Sequence, residues 1–190
     1  GPNDRALCVL PLYHINGEMV TVMGPLVSGG SVVMPARFSA KEFWGLVDAH
    51  KCTWLSVVPT IVKYLLDRAD TEPYTFGESP ELARLRFGRS ASAPLPASVM
   101  RAFEATFKVP MIETMGMTET AAPLLSNPMP PGQRKAGSPG VAFGNEVQVA
   151  NDAGAQVEDT VVGEILIRGP NVLTGYYKNP EASASAFDAD

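Results

Sequence analysis

The sequence predicts an α/β protein: a parallel-sheet part with helices on both faces, followed by a smaller β-rich, barrel-like part. Three observations carry this expectation. Up to Ala122, short apolar runs of strand length alternate with longer segments patterned at the helical period. Prolines and glycines then crowd residues 123–140. Beyond them the pattern changes to short alternating strands joined by turn residues. The expected division is an α/β part over residues 1–133 and a β-rich part over residues 134–190 that continues past Asp190.

Each element has its own signal. Leu7–Leu12 is an apolar run stopped by Tyr13 and His14, the pattern of a buried strand. Gly17 to Val27 reads as a helix with Pro25 near its end, and Ser31–Met34, after Gly29 and Gly30, as a second strand. Ser39 stands three residues before Glu42 in a capping box, so a helix is expected to open there, with Phe43, Leu46 and Val47 on one face. His50 and Lys51 bring cationic character suited to its C-terminus. Thr53–Val58 is β-branched and aromatic, a third strand, and Pro59 suits the first turn of the next helix. Ile61, Val62, Leu65 and Leu66 are the apolar stripe of that helix. Leu85–Arg89 and Pro110–Thr114 read as strands on either side of a helix over Pro96–Phe107, whose Val99, Met100, Phe103 and Phe107 share a side. Residues 123–140, with Pro123, Pro128, Pro130, Pro131 and Pro139, read as a loop or a domain seam. Asn145–Val149 and Glu164–Arg168 alternate as strands, with turn chemistry from Asn151 to Gly154.

Composition excludes several function classes. Net charge is −5 with no basic run, which argues against nucleic-acid binding. Apolar stretches break well before the ~18 residues a membrane span needs. Residues 1–25 lack a charged segment followed by an apolar one, so no signal peptide is expected and the setting read from the sequence is cytoplasmic. Cys8 and Cys52, each in an apolar strand-like run, read as buried free thiols.

In an open parallel sheet, ligands bind outside the carboxyl ends of the strands. Three unusual segments follow strands: Leu12–Gly17, Ser90–Leu95 and Thr114–Thr120. They are expected to converge on one edge. Small residues at Ala91, Ser92 and Ala93 let a flat ring approach backbone, and Gly116 allows a tight turn. The Thr118 hydroxyl suits a phosphate oxygen. The Glu119 carboxylate suits Mg²⁺, which takes one or two carboxylates together with nucleotide oxygens. His14 is placed to guard a substrate channel. No Ser-His-Asp set and no Cys/His metal cluster competes with this reading.

The segments L-P-L-Y-H-I-N-G, S-A-P-L, M-G-M-T-E-T and G-E-I-L-I-R-G-P-N-V-L-T-G-Y-Y-K-N-P-E-A occur in that order over essentially the whole chain. In this the sequence resembles the adenylate-forming superfamily of AMP-dependent acyl-CoA and aryl-CoA synthetases, luciferases and peptide-synthetase adenylation domains. The resemblance implies ATP or AMP, Mg²⁺ and CoA as ligands and a small-molecule carboxylic acid as substrate. It implies that Thr118 binds the AMP phosphate and Glu119 the Mg²⁺. Ala91, Ser92, Ala93, Met115 and Gly116 would meet the adenine side of the nucleotide. His14 would gate the acyl carboxylate, and Ile15, Asn16, Thr114 and Met117 would lie near the acyl group. Met115 stands where the family usually has a tyrosine, and Ala91-Ser92 where it usually has a glycine-rich pair.

The family's phosphate loop ends in a lysine and lies upstream of its L-P-L-x-H segment; residues 1–13 hold nothing like it. Its T-G-D segment and its small C-terminal domain are expected beyond Asp190. The chain alone is therefore expected to be inactive, with the remaining N-terminal and C-terminal parts of the same enzyme as its partners. Two other readings stay open at this stage. One is an adenylation domain that loads a carrier protein; the other is a non-enzymatic α/β binding module. Aliphatic, aryl and dicarboxylic acids all remain open as substrates.

Overall fold

The computed structural model describes residues 1–71, 84–121, 123–158 and 161–187. The expected β-rich part ends in residues 188–190, which lie outside them. Nine strands and five α-helices are described, in chain order: β1 (Arg5–Cys8), α1 (Gly24–Val27), β2 (Ser31–Val33), α2 (Phe43–Ala49), β3 (Trp54–Val57), α3 (Pro59–Thr71), β4 (Phe87–Ser90), α4 (Ala97–Phe107), β5 (Met111–Gly116), β6 (Pro123–Ser126), β7 (Val141–Ala142), β8 (Glu146–Ala150), β9 (Glu164–Arg168) and α5 (Pro180–Ala186). A π-helix, Asn16–Met23, runs directly into α1.

The main sheet has seven strands in the order β2-β1-β3-β4-β5-β6-β7. The first five are parallel; β6 and β7 are antiparallel additions. The chain steps outward from β1 to β2 and then returns to lay β3 on the other side of β1. That 2-1-3-4-5 order creates a topological switch point between β1 and β3. A separate hairpin pairs β8 with β9 over five residue pairs, from Glu146↔Arg168 to Ala150↔Glu164. This is the parallel sheet followed by a smaller antiparallel part that the periodicity predicts.

Strand register decides which side chains share a face. Leu7 pairs with Leu55, Leu55 with Gly88, and Gly88 with Met111. These residues join Phe43, Trp44 and Val47 of α2, Ile61, Val62 and Leu65 of α3, and Met100, Phe103 and Phe107 of α4 in one core. Gly88 has a packing reason to lack a side chain, because a Cβ there would come within 3.0 Å of the Leu55 side chain. Trp44 locks α2 to α4, with ring centroids 4.7 Å from Phe107 and 6.3 Å from Phe103. Ser56 and Arg89, one residue out of phase with Leu55 and Gly88, point to the opposite face. There they meet Asn16 at the start of the π-helix. Helices therefore flank both faces.

Several boundaries differ from the sequence expectation for local reasons. The first strand ends at Cys8, because Leu10–Asn16 turns back on itself and the Pro11 carbonyl accepts from the His14 N–H at 3.2 Å. Ser39 does not open α2 directly. Its Oγ accepts the Glu42 N–H at 3.4 Å across a turn, and the helix begins at Phe43. Residues 123–140 are not loop throughout. Pro123 opens β6, where a proline at the first strand position costs nothing, and buried Leu124 anchors it. β7, beyond residue 133, also pairs into the main sheet. Helix α5 is an element the periodicity does not reveal. It is set by Asn179, whose side chain accepts the Ala182 N–H at 3.1 Å, and by Pro180 in its first turn.

Candidate functional site at the carboxyl edge of the sheet

The carboxyl ends of β1, β3, β4 and β5 lie side by side in one parallel array. The segments carrying His14, Ala91–Ala93 and Thr114–Glu119 leave from that edge, as expected. Their local geometry falls into two clusters.

The first cluster sits at the β1/β3 switch point. The π-helix presents Asn16 there, and the Thr21 hydroxyl holds the Asn16 carbonyl at 2.6 Å. Gly17 is obligatory at this start, since a Cβ would lie 2.4 Å from the Pro11 carbonyl oxygen. π-turns of this sort accompany functional sites often enough to mark the segment. The buried Asn16 amide donates to Ser92 Oγ at 3.2 Å and accepts from Ser56 Oγ at 3.1 Å and from Arg89 Nη1 at 2.5 Å. The exposed His14 joins the group through its Nδ1, which accepts the Asn16 N–H at 3.2 Å. Ser92 adopts φ +72°, a left-handed turn immediately after β4 that exposes Ala93. Ala91 is buried behind it. Thr114 is buried on β5, and its hydroxyl has no partner among the described residues. Register places it on the same face as Arg89, since Arg89 pairs with Ile112 and Thr114 lies two residues further on.

Arg89, which the sequence places only in a strand, joins this first cluster. It is 7% exposed, yet its hydrogen-bond partners among the described residues are neutral, Asn16 Oδ1 and Ser56 Oγ at 3.2 Å. Burial pulls its guanidinium down to about 10. No local pattern marks it in the sequence, because Arg86, Gly88 and Ser90 stand in the same run.

The second cluster is the turn after β5. The ladder to β6 shifts register between Met115 and Gly116, and the chain then forms a short 3₁₀ turn over Thr118–Thr120. The Thr120 hydroxyl closes the turn, donating to the Met117 carbonyl at 3.1 Å and accepting the Met117 N–H at 3.3 Å. Gly116, Met117 and Thr118 are exposed, Met115 and Glu119 half-buried. The segment after β9 grips this turn from the other side. Asn171 donates from Nδ2 to the Thr120 carbonyl, and the Leu173 N–H donates to the Glu119 carbonyl at 2.8 Å. The Tyr176 hydroxyl donates to Glu119 Oε1 at 3.0 Å, and that bond raises the Tyr176 phenol above its ordinary range. Tyr176 thus sits on the carboxylate from the segment that follows β9. Asn127 braces the neighbouring chain, donating to the Glu113 carbonyl at 3.1 Å and accepting the Lys135 N–H at 2.8 Å.

The donor set suits a nucleotide-borne Mg²⁺. Among the described residues no group of three or more His, Cys, Asp or Glu comes together, and Glu119 offers one carboxylate whose Oε2 is left over after Tyr176 takes Oε1. The cysteines do not compete as nucleophiles. Both are buried and free, and burial pushes Cys52 up to about 11.

Comparison with known proteins bears on this arrangement directly. The family model described as AMP-binding enzyme matches residues 1–177. The chain belongs to the AMP-binding enzyme family. A sulfoacetate–CoA ligase of Cupriavidus necator is 54% identical over 190 residues, covering 100% of this chain and 36% of that protein. An oxalate–CoA ligase of Arabidopsis thaliana is 39% identical over 189 residues, covering 98% and 36%. The ATP-bound crystal structure of MatB from Rhodopseudomonas palustris superposes with a TM-score of 0.85 at 32% identity, over 100% of this chain and 36% of that one. The chain thus spans about a third of the length of these AMP-binding relatives.

Proposed function

We propose that this chain is the nucleotide- and acid-binding part of an ATP-dependent acid–thiol ligase. A carboxylate oxygen attacks the α-phosphorus of ATP, the bond to pyrophosphate breaks, and an acyl-adenylate forms. The CoA sulfur then attacks the acyl carbon, losing its proton, and AMP leaves. The observation that carries this reading is the Thr118–Glu119 turn at the carboxyl end of β5, gripped by Tyr176 and Leu173 on the same sheet edge as the β1/β3 switch point. Catalysis of the first step is positioning and charge neutralisation, for which this edge is built.

In this proposal Thr118 donates to the AMP phosphate. Glu119 holds Mg²⁺, which supplies neutralisation of the phosphate oxygens when bound. Ala91, Ser92, Ala93, Met115 and Gly116 line the adenine side, and the Met115 thioether packs where an aromatic ring would stack. His14, Ile15, Asn16, Thr114 and Met117 surround the acid. The division into residues 1–133 and 134–190 belongs to the same proposal, with β7 reaching back across it into the main sheet. By their names, both curated relatives above use a short acid with a second acidic group, and a short acid is the reading we extend to this chain. The two buried free thiols support a reducing, cytoplasmic setting. Among the described residues no helix is long and apolar enough to cross a membrane.

The test is acid-dependent pyrophosphate release by the protein at its natural full length, with CoA or a phosphopantetheinyl carrier protein as acceptor. Release with thioester on CoA is the expected result. Thioester on the carrier protein alone would reassign the acceptor, and no release with any short acid would favour a binding module.

A further inference from the structure

We infer that Arg89 is the counter-ion for a second acidic group on the substrate, so that the site selects short acids carrying a carboxylate or sulfonate at the end remote from the reacting carboxylate. The inference rests on the ligase reading above and names the residue that sets its substrate class.

The physical case starts from cost. A guanidinium removed from water loses a large hydration energy, and only a nearby anion and a full set of hydrogen bonds return it. Arg89 is buried with neutral partners alone, and no carboxylate faces it among the described residues. Its lowered pKa has burial as its one cause. The fold has no packing need for a cation here, because the central strand β4 is satisfied by its ladders to β3 and β5.

The surroundings are those of an anion receptor. Nη1 is tied to Asn16 and Ser56, which fixes the plane of the guanidinium and leaves its remaining N–H groups to a ligand. The Thr114 hydroxyl, buried on the same face of the sheet and without a partner among the described residues, supplies a further donor. The cluster lies at the switch point, where ligands enter sheets of this order. His14 and Asn16 connect it to the segment proposed to hold the reacting carboxylate. A dianionic acid would therefore lie with one acidic group toward the Thr118–Glu119 turn and the other against Arg89.

The experiment compares sulfoacetate and oxalate with propionate and acetate, as kcat/KM for pyrophosphate release by the protein at its natural full length. Arg89→Met should lower the sulfoacetate-to-propionate ratio at least about 100-fold, the loss expected when one member of a buried charge pair is truncated. Arg89→Lys should recover part of that ratio, and thermal melting of the ligand-free Arg89→Met protein should be no lower than that of the unsubstituted one. If Arg89→Met does not fold, Thr114→Val carries the test, with a fall in the same ratio of roughly 10-fold. Equal losses for both acids, or an unchanged ratio, would overturn the inference while leaving the ligase reading intact. An unsubstituted protein that releases pyrophosphate with none of the four acids would overturn both. Selection for oxalate but not sulfoacetate would support Arg89 with a carboxylate as its ligand; the reverse would support a sulfonate.

Discussion

Glu119 and Tyr176 show how a carboxylate at a loop tip is aimed. Thr118–Thr120 is only a single 3₁₀ turn, so nothing in that turn fixes the side chain of its middle residue. The Tyr176 hydroxyl, from 57 residues further along, does so. Tyr176→Phe should raise the KM for MgATP several-fold with little effect on thermal stability, since the tyrosine is exposed and its bond is solvated. Equal KM values in a steady-state titration would remove Tyr176 from the site. The thiols give a second prediction, on the chain itself. Cys8 and Cys52 are buried and their pKa values are raised, so iodoacetamide at neutral pH should label neither until the protein is denatured. The sign follows from the raised value. Burial of the neutral Cys52 thiol stabilises the fold fully below the ordinary value of 9.0, and the contribution fades as pH climbs toward about 11. Thr118 and Glu119 were legible in the sequence because they stand in a distinctive string. Arg89 and Tyr176 were not, because burial and a contact across 57 residues leave no local pattern.

Among the elements, the π-helix and α4 carry the two sharpest dependencies. The π-helix starts where Gly17 passes under the Pro11 carbonyl, with no room for a methyl group. Gly17→Ala should cost about 1–3 kcal/mol and displace Asn16 from Ser56 and Arg89, read as a lower melting temperature together with loss of acid selectivity. A melting temperature equal to that of the unsubstituted protein would mean that the turn yields more easily than its contacts imply. Phe103 lies at the centre of the helical layer, fully buried against Trp44 and Phe107. Phe103→Ala should destabilise by about 3–5 kcal/mol, a drop of roughly 10 °C in a calorimetric scan for a domain of this size. The helices α3 and α4 could be read from periodicity because each has one buried and one solvated side; β3 could be read from its β-branched and aromatic content, and β8 and β9 from the alternation of their sequence. The π-helix could not be separated from an α-helix, because both present apolar residues at similar spacing. β6 was hidden by Pro123 and Pro128 at its margins, where proline signals a turn and also tolerates the first position of a strand.

The whole molecule joins its two sheets through the Thr118–Glu119 turn: the main sheet supplies it, and the segment following the β8–β9 hairpin grips it through Asn171, Leu173 and Tyr176. This contact was out of reach of the sequence, which placed a seam between the parts without showing that the segment after β9 bonds to the turn after β5. The convergence of three loops on one edge was legible, because parallel order forces every strand to end on the same side. The chain by itself should form no acyl-adenylate, since it spans about a third of its relatives and residues 1–13 carry no phosphate loop. Detectable turnover by the 190 residues alone would show that the site is more self-sufficient than its geometry suggests. The most direct measurement is mass-spectrometric detection of acyl-adenylate formed from ATP, Mg²⁺ and a short acid by the full-length protein, with and without Glu119→Gln. The adenylate should accumulate in the unsubstituted protein and fall at least about 100-fold in the variant, whose circular dichroism and melting curve stay the same. Undiminished adenylate in Glu119→Gln would contradict the assignment of this edge.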